Sequence, residues 1–82
     1  MRIHGVLWFS TPVSVKTRQP GARYEVNNVQ AAAENLLEWP RRGRHWNKAV
    51  QACLAALAGD LSPDDVRTAF ETAANEEGML LD

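Results

Sequence analysis

Residues 39–53, WPRRGRHWNKAVQAC, are the stretch on which the fold turns. Proline disfavours helical geometry in the residue before it, so Pro40 stops at Trp39 any helix arriving from upstream. Arg41-Arg42-Gly43-Arg44 then reads as a turn. From about His45 a helical pattern resumes. Trp46, Ala49, Val50, Cys53, Leu54 and Leu57 recur at spacings of three and four, which makes an apolar stripe. Ala52, Ala55, Ala56 and Ala58 widen that stripe, so neighbours can approach closely and the helix over 45–58 is expected to be central. Gly59 supplies the residue past its end.

Working upstream, Val29, Ala32, Ala33, Leu36 and Leu37 share one helical face, with Asn27 expected as N-cap and Gln30 as its capping-box partner. Downstream, a third helix has a well-marked start. Ser62 is placed to cap it, Pro63 suits the first helical position, and Asp64 and Asp65 favour the positive end of the dipole. Leu61 and Val66 are spaced for a hydrophobic staple. Val66, Ala69, Phe70, Ala73 and Ala74 form the inward face, and Gly78 ends the helix. Met79-Leu80-Leu81 folds back as an apolar tail forming a short strand.

The N-terminal third is β in character. Residues 6–9 are strand formers, and Val13 and Val15 alternate with Ser14 and Lys16. Pro12 cannot donate to a ladder, so this is an edge strand or two pieces joined at a kink. Thr17-Arg18-Gln19-Pro20-Gly21 is a turn, and residues 23–26 alternate as a half-buried strand does. A hairpin alone is marginal and must rest on the helices. The expected fold is therefore α+β: an N-terminal β-hairpin packed against three α-helices, in a single domain spanning 1–82 with its core over about 6–81.

Composition fits that scale. The chain has 82 residues, 45% hydrophobic and 23% charged, which is ordinary for a folded domain. A chain this short buries only about 60–65% of its unfolded surface, so stability is modest. One cysteine excludes an internal disulfide framework and suits a reducing compartment. The apolar run at 6–9 is too short for a signal-peptide core, and no run approaches the ~20 residues that span a bilayer. A cytoplasmic location without membrane attachment is expected. The net charge of −1 hides a split, +5 over residues 1–59 and −6 over 60–82.

The ordered set of these features resembles a known family. Pro12-Val13-x-Val15 is followed by the Ala-rich first helix and Leu37-x-Trp39-Pro40. Ala49-x-x-x-Cys53 and Ala56-Leu57-x-Gly59 come next, and Val66-Arg67-x-Ala69-Phe70-x-x-Ala73-Ala74-x-Glu76-x-Gly78 closes the chain. Together they resemble the small bacterial proteins grouped as domain of unknown function 982, over nearly the whole chain from about Phe9. The family typically has Ala-Arg before the Phe of the last helix; here Val66-Arg67 keeps only the arginine. The resemblance implies the fold and a single domain, and implies no catalytic residue.

No chemistry-bearing constellation stands out. Cys53 sits mid-helix on the apolar stripe, whereas a reactive thiol wants an electropositive, partly exposed setting. His45 lies eight residues before it, more than two turns away, and His4 is near the terminus. One cysteine and two distant histidines give no metal-ligand spacing. Asp64-Asp65 and Glu76-Glu77 are adjacent pairs that diverge around a helix, and Gly43 among arginines is no phosphate loop. A non-enzymatic interaction or regulatory module with no cofactor and no metal is therefore expected.

Two candidate sites remain. Arg41, Arg42, Arg44, His45 and Lys48 cluster at the start of the second helix, where the dipole disfavours cations. Such a cluster can bind nucleic acid or a phosphorylated ligand, with Trp39 or Trp46 as a stacking surface. The competing explanation is internal. Glu34, Glu38, Glu76 and Glu77 all sit at C-terminal helix ends, also against the dipole, and are expected to surround the same corner and neutralise it. The second candidate is the hairpin edge at Trp8, Val13 and Val15, where an exposed strand invites a second copy or a partner chain.

Overall fold

The computed structural model describes residues 5–17 and 21–81. Arg18, Gln19 and Pro20 of the expected turn, and His4, lie outside the described residues. Strand β1 (Trp8–Lys16) pairs antiparallel with β2 (Arg23–Asn28), and three helices follow: α1 (Val29–Glu38), α2 (Arg44–Leu57) and α3 (Pro63–Glu76). The expected α+β architecture, a hairpin on three helices, is the one observed.

The strands show why Pro12 matters. Trp8 pairs with Asn28 but Val13 pairs with Val26, so β1 carries extra residues between those two points. In that irregular stretch the backbone turns to α3 instead of β2. The Ser10 amide donates to Asp64 Oδ1 at 2.8 Å, and Arg67 Nε donates to the Thr11 carbonyl at 2.7 Å. The amide bond from Ser10 holds the Asp64 carboxyl below its usual pKa. Beyond Pro12 the ladder is regular. Val13, Val15 and Val26 face the helices while Ser14, Lys16, Arg23 and Glu25 face solvent, the pattern of a sheet buried on one side.

The C-terminal tail completes the sheet. Val15 and Leu80 form an antiparallel bridge, with the Lys16 amide donating to Met79 O and the Leu81 amide donating to Ser14 O, at 2.8 and 2.9 Å. β1 is thus flanked on both sides, and β2 is the outer strand.

Each helix begins and ends for an identifiable reason. The α1 N-cap is Asn28, whose side chain accepts from the Ala31 amide at 2.7 Å, one residue later than the expected Asn27. Asn28 wins because Gln30 is used elsewhere: its amide group bonds the Leu7 amide and the Gly5 carbonyl, which ties β1 to α1 in place of a capping box. Ser62 caps α3 by accepting from the Asp65 amide, and its hydroxyl donates to Asp65 Oδ2. Both α2 and α3 end in paired return bonds past a glycine. Gly59 (φ 87°) donates to Ala56 O while Asp60 donates to Ala55 O; Gly78 (φ 71°) donates to Asn75 O while Met79 donates to Ala74 O.

Phe70, fully buried on α3, is the largest residue at the centre. Around it lie Val13 and Val15 from β1, Val26 from β2, Leu36 from α1 and Cys53 from α2. Trp39, just past α1, packs its ring against Phe70 at 5.5 Å between centroids, and its indole nitrogen is buried with no hydrogen-bond partner among the described residues. Two residues of the sequence stripes do not join the core: Leu37 is 63% exposed and Leu54 56%. On α1 the buried line is Val29, Ala32 and Leu36, and on α2 it is Ala49, Cys53 and Ala56; Leu37 and Leu54 lie beyond the arc that neighbouring elements cover.

Phe70→Ala should therefore lower stability by about 3–5 kcal/mol, a loss comparable with the whole margin of a small domain. Urea denaturation followed by tryptophan fluorescence measures it, and a loss under ~1 kcal/mol would contradict this account of the core.

Candidate functional site

The basic cluster lies where three helix ends meet: the end of α1, the start of α2 and the end of α3. The α2 N-cap is Gly43, which has no side chain to satisfy the first amides, and the first turn carries no acid. The missing cap comes from α3. Glu76 Oε1 accepts from the His45 amide at 3.4 Å, and its Oε2 lies 3.5 Å from His45 Nε2. Both Glu76 and Glu77 reach over Gly43, where a Cβ would meet a carboxylate oxygen of each at 3.0 Å. Glycine at 43 leaves the space in which these carboxylates sit.

The corner also completes the preceding helix. Arg42 Nη2 donates to the Leu37 carbonyl at 3.0 Å, and Trp46 Nε1 donates to the Leu36 carbonyl at 2.6 Å. Those are among the carbonyls that an α-helix leaves open at its end. The Arg42 guanidinium lies 4.8 Å over the Trp46 ring, so these two side chains brace each other.

The five candidate cations therefore divide. His45 faces Glu76, and Arg42 is held by Leu37 and Trp46. Among the described residues, no hydrogen bond or ion pair engages the side chains of Arg41, Arg44 or Lys48, and all three are exposed. Of the four acids expected to surround them, only Glu76 and Glu77 do so. Glu34 and Glu38 line a different cleft of about 790 Å3 with Lys16, Arg23 and Tyr24. The reason is helical spacing: residues 34 and 38, one turn apart, lie on the side of α1 that faces the end of the hairpin.

The other candidate site is redrawn by the sheet. Val13 and Val15, expected at an exposed edge, are 2% and 0% exposed and belong to the core. Trp8 is 61% exposed. The β1 edge is covered by α3 at Ser10 and Thr11 and by the tail at Ser14 and Lys16, so the uncovered edge belongs to β2. No alternation signal could have shown this, because it depends on where residues 79–81 return.

Cys53 is buried, and burial pushes its thiol up to about 11. Among the described residues, no three His, Cys, Asp or Glu side chains converge as a metal site would require. Among the described residues, no helix is long and apolar enough to cross a membrane.

A bulged hairpin closed by a C-terminal tail, with three helices whose ends meet at a basic corner, defines a small α+β domain. Residues 11–81 match the family model described as Protein of unknown function (DUF982), and the chain belongs to that family. It is similar to Agrobacterium tumefaciens protein Atu1219, whose structure was determined by NMR. The two share 35% sequence identity and superpose with a TM-score of 0.75, over 93% of this chain and 77% of that one. No curated protein matches the chain.

Two measurements check the site. Glu76→Gln removes the charge that caps α2 and should lower stability by about 0.5–1 kcal/mol, whereas Glu34→Gln should change it by less than ~0.5 kcal/mol. Equal effects in urea denaturation would mean that Glu76 does not serve as the cap. Cys53 should react with a thiol reagent at the rate of global unfolding in native buffer and at once in urea; fast labelling of the native protein would contradict its burial.

Proposed function

We propose that this chain is a non-enzymatic interaction module, and that it binds an acidic segment of a partner protein at the α1–α2 corner. One observation carries the reading: Arg41, Arg44 and Lys48 have no partner within the described chain and flank in sequence the residues Arg42 and Trp46, which form an exposed apolar edge with Leu37. Leu37 is 63% exposed, Trp46 is half-buried, and Arg42 links them by bonding the Leu37 carbonyl while lying over the Trp46 ring. A half-exposed aromatic with arginine around it is the composition of an interface core and rim. Unpaired cations and an exposed leucine favour a partner that offers both acid and apolar side chains, as an amphipathic acidic helix does.

The alternative, nucleic acid or a phosphate ligand held by Arg41, Arg42, Arg44, His45 and Lys48, has less support. Arg41, Arg42 and Arg44 share their cleft with the carboxylates of Glu76 and Glu77. One of the α2 amides that would greet a phosphate, that of His45, already donates to Glu76. A phosphate there meets two negative charges, whereas a peptide carboxylate can reach Lys48 and Arg44 from outside the cleft.

Fluorescence anisotropy with a labelled amphipathic peptide rich in Glu and Leu tests the proposal, with labelled single-stranded RNA as comparison. Binding to the peptide should weaken about tenfold in the double variant Arg41→Glu, Arg44→Glu, and should also weaken in Leu37→Ser, because charge and apolar contact act together. Added salt should weaken it by slowing association. No peptide binding, or RNA binding in its place, would overturn the reading.

A further inference from the structure

The open edge of β2 carries a pattern that fits its own mirror image, and we infer that the chain self-associates there. The proposed dimer joins two copies antiparallel through β2, centred on Tyr24, into one continuous sheet. This surface is separate from the α2 corner, and neither proposal depends on the other.

The bonds that β1 makes to the tail fix which backbone groups of β2 are free. Lys16 N and Ser14 O bond the tail, so both residues point away from β2. In an antiparallel ladder, residues alternate between hydrogen-bonded pairs and pairs that face outward. Ser14↔Glu25 and Lys16↔Arg23 are therefore the outward-facing pairs, and Val15↔Tyr24 and Val13↔Val26 exchange the β1–β2 bonds. It follows that the amides and carbonyls of Arg23 and Glu25 point from β2 toward the open side. Among the described residues, no backbone bond across that side is recorded for residues 23–28.

This parity restricts how a second β2 can dock. A two-fold axis between two residues would set an outward pair against an inward one and make no ladder. An axis at Glu25 would pair its carboxylate with its own copy, and like charges directly opposite destabilise a sheet. An axis at Val26 would bring Arg23 against Val29, which is already the first residue of α1. An axis at Tyr24 sets Arg23 opposite Glu25 of the second copy and Glu25 opposite its Arg23. Each such pair exchanges both backbone bonds and places opposite charges side by side.

Tyr24 then faces its copy in the non-bonded position, where side chains come closest. It is 45% exposed, one of the few large apolar residues left in solvent, and it stands on the helix side of the sheet opposite Val15. Two tyrosines in that position make a cross-strand aromatic pair. The contact is isologous, so it closes at two copies and uses up the β2 edge of each. Charges on an edge strand ordinarily repel other strands, and within one copy Arg23 donates to Ser14 Oγ at 2.8 Å and lies 4.0 Å from Glu25 across an exposed pair. Here their order, Arg23-Tyr24-Glu25, repels a strand in other registers and accepts this one.

Analytical ultracentrifugation of the full chain, from micromolar to millimolar concentration, should show a reversible monomer–dimer equilibrium. Arg23→Glu and Glu25→Arg, each alone, put like charges opposite each other on both sides of the axis and should each weaken association about tenfold. An equimolar mixture of the two variants restores both pairs and should recover the dimer as a heterodimer. Glu25→Pro, which removes an outward amide without touching the β1 ladder, should abolish it. Circular dichroism confirms that each variant is folded; should any single variant unfold, the mixing experiment on the others and a Tyr24→Ala variant carry the test. A chain monomeric to millimolar concentration, or a dimer indifferent to both charge reversals, would overturn the inference.

Discussion

The ends of helices are where this fold is most constrained. An α-helix leaves four amides and four carbonyls unsatisfied, and a small domain has little surface on which to hide them. Here α2 begins at Gly43 with no capping side chain and with cations in its first turn, the worst arrangement for its dipole. Its buried face of Ala49, Cys53 and Ala56 carries it, and α3 offsets part of the cost by returning Glu76 to the His45 amide. In turn, Arg42 and Trp46 from the start of α2 close the last carbonyls of α1. The corner is a relay in which each helix supplies what a neighbour lacks. The antiparallel packing of α2 and α3 is thus fixed by polar need as well as by the apolar contact between Cys53, Ala56, Phe70 and Ala73.

That relay touches only part of the charge split along the sequence, through His45 and Glu76. The basic first part and the acidic last part are not two independent surfaces. They meet where Glu76 and Glu77 lie over Gly43, and a Cβ there would press both carboxylates outward by a few tenths of an ångström. Beside it stand cations that no acid of the described residues engages, Arg41, Arg44 and Lys48, while Arg42 reaches the exposed Leu37 through its carbonyl. Exposed ion pairs stabilise by only ~0–1 kcal/mol, so the value of the arrangement lies more in placing α2 than in the pairs as such.

Most of the fold was legible because local rules and packing agreed. Ser62-Pro63-Asp64-Asp65, Gly59 and Gly78 mark helix boundaries by chemistry that acts within a few residues, and those boundaries hold. Leu37 and Leu54 were misplaced because a stripe at spacings of three and four spans more arc than one layer of neighbours covers, and periodicity cannot say which margin is left bare. Asn27 lost the cap to Asn28 because Gln30 is engaged by Leu7 and Gly5, a contact between residues more than twenty positions apart. Glu76 was correctly drawn to the corner by the short α2–α3 loop. Glu34 and Glu38 were not, because their side of α1 follows from the hairpin.

The same distinction governs the sheet. Strand content was readable from alternation, but edge and centre were not, because strand order depends on the last residues of the chain. Once Met79, Leu80 and Leu81 return beside β1 through an isolated bridge at Val15, β1 ceases to be an open edge there, while Val13 and Val15 are buried because they face the helices. Pro12 is then tolerated for a different reason than an edge position: it lies where the ladder to β2 is already interrupted and α3 takes over the backbone at Ser10 and Thr11. The bridge on the far side of β1 leaves β2 with the amides and carbonyls of Arg23 and Glu25 facing outward. The tail that closes one side of the sheet therefore also decides which side stays open.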